Sequence, residues 1–151
     1  MDESIGMAID QPSYKLGMTT AFVEMVAAGV KKLGLSPPLD PEELDRLMKG
    51  ADRVAKSYGV HLYLEKDFLT TDLFDPEFTR AKYVLMIFKD PMVKEAYMAL
   101  KAEKEGLIKA GRFEGEPRKE VARKFGHLLG YPDDHIGRML SEAPSSPYVL
   151  D

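Results

Sequence analysis

Six consecutive apolar residues, YVLMIF at positions 83–88, stand between Lys82 and Lys89. The run does not alternate. As a strand it carries apolar side chains on both faces, so both faces have to be covered. A second stretch, VHLYLEKD at 60–67, does alternate, with Val60, Leu62 and Leu64 on one face and His61, Tyr63 and Glu65 on the other. That is the pattern of a half-buried strand. The link between the two, residues 68–80, is too short for an ordinary crossover helix, which favours antiparallel pairing. Two strands alone make a poor sheet. A third is expected from residues 5–9, 68–74 or 148–150.

Helical periodicity accounts for most of the remaining chain. Thr19 or Thr20 is placed to cap a helix running to about Leu33, with Phe22, Met25, Val26, Gly29, Val30 and Leu33 on one face and Gly34 as its stop. Val23 and Ala27 add a second apolar strip beside that face. Residues 1–17 have no clear period and read as an arm. Asp40-Pro41 opens a second helix, with a capping carboxylate, proline at the first helical position, and Glu42 and Glu43 complementing the dipole. Leu44, Leu47, Met48, Ala51, Val54, Ala55 and Tyr58 then give the spacing of a buried stripe. Asp90-Pro91 repeats the device for a helix carrying Val93, Ala96, Tyr97, Leu100, Leu107 and Ile108. Pro117 opens a fourth helix with Val121, Phe125, Leu128 and Leu129 inward, stopped by Gly130. Pro132 opens a fifth with Ile136, Met139 and Leu140 inward. Residues 143–151 form a proline-serine tail. The expected architecture is one α+β domain over 1–151, helix-rich, in the order ααββααα, with a small antiparallel sheet and five helices.

Composition narrows the chemistry. The chain has no cysteine, which excludes disulfides, thiolate nucleophiles and Cys-ligated zinc. It has no asparagine and a single glutamine, Gln11. Loss of these heat-labile types leans towards a thermophilic source. The most apolar helical stretch contains Glu24 and is too short to span a bilayer. The acidic start lacks a signal-peptide pattern, so a cytoplasmic protein is expected. A net charge of −4 gives no general attraction to nucleic acid or anionic membrane. Residues 94–138, however, carry a local excess of two positive charges.

That excess supplies the sharpest candidate. Lys119, Arg123 and His127 recur every four residues on the outer face of the fourth helix, opposite Val121, Phe125, Leu128 and Leu129. Such a ridge could hold a phosphate, although Glu120 in its midst offers internal pairing. No glycine-rich phosphate loop accompanies it. Metal binding by His127, Asp133, Asp134 and His135 would need convergence across a Gly-Tyr-Pro break, and no spacing fits a zinc pattern, so no metal or other cofactor is assigned. Ala122 and Gly126 resemble the first helix of a helix-turn-helix unit, but the helix continues past the expected turn, so nucleic acid is disfavoured. Glu24 is the one carboxylate set in an apolar run, where burial would raise its pKa; on the less apolar flank beside Ala28, Lys31 and Lys32, it is better placed to be paired or exposed. His61, near Tyr63 and Glu65, is a weaker candidate.

The segment GHLLGYP, residues 126–132, with the apolar strand before it, resembles uncharacterised prokaryotic proteins, largely archaeal. The resemblance implies a prokaryotic cytoplasmic origin and transfers no catalytic role. Two functions are therefore carried forward. One is a non-enzymatic binding or assembly module that self-associates through its first helix. The other is a small enzyme or ligand binder using Lys119, Arg123 and His127 for an anionic, phosphorylated ligand.

Overall fold

The computed structural model describes residues 8–142. Five helices and three strands follow in the order α1 (Gln11–Ala27), β1 (Leu33–Leu35), α2 (Leu44–Tyr58), β2 (His61–Glu65), β3 (Val84–Phe88), α3 (Pro91–Lys109), α4 (Gly115–Leu128) and α5 (Asp133–Ser141). Short 3-10 turns at Pro41–Glu43 and Pro76–Phe78 precede α2 and β3. The fold is α+β and helix-dominated, as the periodicities require.

The six-residue apolar run is the centre of the sheet. β3 pairs antiparallel with β1 on one side and β2 on the other, with Phe88 opposite both Leu33 and His61. Every residue of β3 is buried. Val84, Met86 and Phe88 enter a core with α3, α4 and α5. Leu85 and Ile87 point the other way, into clusters with α1 and α2. Burying two faces of one strand is what a non-alternating run demands.

Among the described residues the third strand is Leu33–Leu35, a segment outside the three expected ones. Residues 68–73 form loop and turn, Phe74 makes an isolated β-bridge, residues 8 and 9 are not strand, and 5–7 and 148–150 lie outside the described residues. Three residues are too few to show a period, so β1 left no signal. Its middle residue explains how it fits. A Cβ on Gly34 would stand 3.2 Å from Val26 Cγ2 and 3.3 Å from Phe22 Cβ, so α1 lies directly on the strand and a side chain there would have to push it back by a few tenths of an ångström.

α1 also begins and ends earlier than expected. Asp10 caps it, accepting from the Ser13 N–H at 3.2 Å, and Pro12 occupies its first turn. Residues 11–17, read as an arm, are therefore helical. Thr19 and Thr20 are not caps; their hydroxyls donate to the carbonyls of Lys15 and Leu16 in mid-helix. Gly29, at φ +81°, ends the helix, and the Val30 N–H reaches back to the Met25 carbonyl at 2.9 Å. This is a Schellman-type stop, which needs a left-handed residue and finds glycine. Val23, Val26 and Leu33, three members of the broad apolar surface, are buried within the chain, while Met25 and Val30 remain exposed.

The face of β2 expected to be polar is covered at Tyr63 and Glu65, with His61 left exposed. Tyr63 packs onto the α3 side of the core, and Glu65 is only 3% exposed. The alternation is real, but beyond His61 both faces are roofed. α4 and α5 meet where Gly126 lies under Ile136; a Cβ at 126 would stand 2.7 Å from Ile136 Cδ1.

Candidate ligand-binding site

The structure forms the expected ridge and matches each of its charges with a carboxylate. Arg123 Nη1 donates to Glu116 and Glu120, both at 3.2 Å, and Lys119 lies 4.0 Å from Glu116. His127 Nε2 pairs with the Asp133 carboxylate. The bonds to Glu120 and Glu116 push the Arg123 pKa up from its already high value. Lys119, Arg123 and Asp133 line a groove of about 460 Å³ beside α5, so even there a negative charge faces the two positive ones. The neighbouring cations are spent similarly. Arg118 grips Asp72 through both carboxylate oxygens, and Lys124 bonds Glu103 at 2.8 Å.

The other candidates separate. Asp134 pairs with Arg138, and His135 packs edge-on against Tyr131, so these two do not join His127 and Asp133. Among the described residues no group of three or more histidines and acids is placed to hold a metal ion. Glu24 is exposed on α1. His61 is exposed too, its ring 5.6 Å from that of Phe88.

Sequence reasoning missed a polar cluster beneath the loop after β2. The buried Glu65 accepts from Lys101 Nζ at 3.0 Å and from the Asp67 N–H at 3.0 Å. Lys101 also donates to the Asp67 carbonyl at 2.6 Å, and Lys104 to the Thr70 carbonyl at 2.7 Å. The Tyr97 hydroxyl, fully buried, accepts from the Leu69 N–H at 2.9 Å. Burial first, and then the adjacent Glu65, push the Tyr97 pKa well above the usual phenol range. Burial, and then Arg118, lower that of Lys104. Each donor here has its acceptor. The cluster clamps residues 67–70 onto α3, a structural task that a buried, fully bonded network performs well.

One concave site has the opposite character. A pocket of about 380 Å³ opens between the end of α1 and the start of α3, lined by Val26, Gly29, Met92, Val93, Ala96 and Leu128 below and by Lys31, Lys32 and Lys89 around them. None of the three lysines forms an ion pair with a described carboxylate. Lys89 makes a 3.5 Å bond to the last carbonyl of α1, Ala27. Lys31 lies with its Nζ 5.5 Å from the Phe22 ring centre and 5.7 Å from that of Tyr131. Burial lowers its pKa. The one acid lining the pocket, Asp90, is the cap of α3 and accepts from the Met92 N–H at 2.9 Å. In the sequence Lys31 and Lys32 stand out only as partners for Glu24. Because α1 stops at Ala27, they leave the helix and turn to this site instead. Two adjacent lysines just after a helix-ending glycine, with no acid among residues 25–39, were the available signal.

The chain matches no family model, no curated protein and no solved structure. Its functional reading rests on its own geometry.

Proposed function

We propose that the protein is a binding module for a small anionic ligand with an apolar body, taken up in the pocket between α1 and α3. The observation that carries this reading is the convergence of Lys31, Lys32 and Lys89 on an apolar floor, where the one acid lining it among the described residues, Asp90, caps α3 and forms no ion pair with them. Like charges gathered without counter-ions oppose folding, so such a group is a place where an anion adds stability on binding. The floor contributes separately. Met92, 63% exposed, and the half-buried Leu128 offer apolar area worth about 25 cal/mol per Å² once covered, against a wall closed by the buried Val26 and Val93. Ligand sites commonly combine such walls with a few placed polar groups.

Self-association is less well supported at this surface. A second copy docked around a two-fold axis would set lysines against lysines, and like-charge contacts cost several kcal/mol in estimates for interfaces, about the size of a good hot spot. A small anion faces no such penalty.

The test is a titration with octanoate and octanol, followed by calorimetry. Octanoate is expected to bind and octanol to bind at least about tenfold more weakly, since a charge-assisted hydrogen bond contributes ~1.5–3 kcal/mol. Equal affinity for the two, or no heat from octanoate at millimolar concentration, contradicts the reading. Light scattering on the same samples reports the mass with and without ligand.

A further inference from the structure

We propose that Lys31 is a nucleophile that condenses reversibly with an aldehyde group on the anionic ligand, so that the pocket captures its ligand as an imine. The inference rests on the binding reading above and deepens it.

Four observations select this residue. Lys31 lines a cavity large enough for a small organic molecule. Its nitrogen lies between the rings of Phe22 and Tyr131, which attract an ammonium weakly but accept no strong hydrogen bond from it. Lys32 and Lys89 line the same cavity and add like charge. The side chain is half-buried, and burial shifts its protonation towards the free amine. A lysine in an apolar recess beside other cations is the arrangement that activates amines for carbonyl chemistry.

The remaining lysines with shielded positions are differently placed. Lys15, Lys82 and Lys101 pair with Glu43, Asp40 and Glu65. Lys104 donates to Thr70 twice. Lys94 stands over the Tyr63 ring but does not line this pocket. Lys32 and Lys89 are exposed, and water solvates their ammonium groups.

The chemistry balances without a co-reactant. The free amine of Lys31 attacks the carbonyl carbon, forming a C–N bond and a carbinolamine. Loss of the carbonyl oxygen breaks the C–O bond. The two amine protons leave with that oxygen as water, and a C=N bond remains. No group is oxidised or reduced. Lys32 and Lys89 hold the ligand's anionic end, which raises the effective concentration of the aldehyde at Lys31.

The experiment uses 4-carboxybenzaldehyde with borohydride trapping and peptide mass mapping of the full chain. Lys31 is expected to be labelled several-fold faster than Lys32, Lys89 or Lys94, because the pocket holds the aldehyde beside it and burial favours its free amine. Lys31→Arg keeps the charge and is expected to lose the label while still binding 4-methylbenzoate, which has no aldehyde. Uniform labelling of all lysines overturns the proposal. So does 4-methylbenzoate binding without any label at Lys31, which leaves the pocket standing. If 4-methylbenzoate does not bind wild type, the pocket reading fails and the imine falls with it. A melting curve of Lys31→Arg matching wild type establishes that the variant is folded.

Discussion

Lys101 and Lys31 are both half-buried lysines near α3, and they were placed under opposite rules. Lys101, in the helix's second half, meets the buried Glu65 and a backbone carbonyl. Lys31, beside its first turn, meets two aromatic rings and no carboxylate among the described residues. The first arrangement is complete within the chain: desolvating an ammonium costs several kcal/mol, and the Glu65 carboxylate with its bonds offsets it. The second is incomplete, and an incomplete charge in a recess is where a ligand can act. The α4 ridge belongs with Lys101. Its cations look like an anion site in the sequence, yet Glu116, Glu120 and Asp133 close it.

Removing Lys101 gives the largest effect expected from this contrast. Lys101→Met strands a carboxylate whose side chain is 4% exposed. It should lower unfolding stability in urea by about 3 kcal/mol. Adding Glu65→Gln to it should recover part of the loss, because no buried charge then remains. A single variant as stable as wild type would show that Glu65 is not held as an ion.

Reversing the pocket's charge comes next. Lys31→Glu with Lys89→Glu should weaken octanoate binding at least about tenfold, the value of one charge-assisted bond or more. The fold should persist, since Lys89 is exposed and Lys31 is not in the core clusters. Unchanged affinity would move the site elsewhere.

Removing the charge of Lys31 alone should invert the Lys101 result. Burial holds the folded pKa of Lys31 below its ordinary value of 10.5. The unfolded chain therefore keeps the proton more tightly, and the burial cost is fully present below the folded pKa. Stability contributed by this site rises as pH climbs towards 10.5. Lys31→Met should melt above wild type at pH 7, and the gap should close as pH approaches that value. A variant that melts lower at neutral pH would mean that the ring contacts outweigh burial.

The ridge supplies the smallest effect. Arg123 is exposed to solvent and shares its charge between two acids, so Arg123→Ala should leave octanoate affinity unchanged and shift the melting temperature little. A marked loss of affinity would return the ridge to candidacy.

What the sequence disclosed follows from what leaves a period. β3, α2 and the caps Asp40-Pro41 and Asp90-Pro91 were legible because each is long or chemically marked. A variant of this device, Asp10-Gln11-Pro12 with the proline one position later, went unread, which shortened α1 at its start. β1 was too short to carry a pattern. The buried role of Glu65 was hidden because alternation reports two unlike faces and not what lies over them. The site was missed for a related reason. Lys31 and Lys32 join Lys89 only because α1 stops at Gly29 and β1 runs antiparallel to β3, which sets Leu33 opposite Phe88. The separation of 57 positions between Lys32 and Lys89 is closed by that register and by nothing local.

A backbone amide titration with octanoate tests the central claim most directly. If uncompensated lysines over an apolar floor define the site, shifts should be confined to residues 26–32, 89–96 and Leu128, and should saturate. Shifts centred on residues 119–141, where every cation already has its acid, or no shifts at millimolar octanoate, would contradict it.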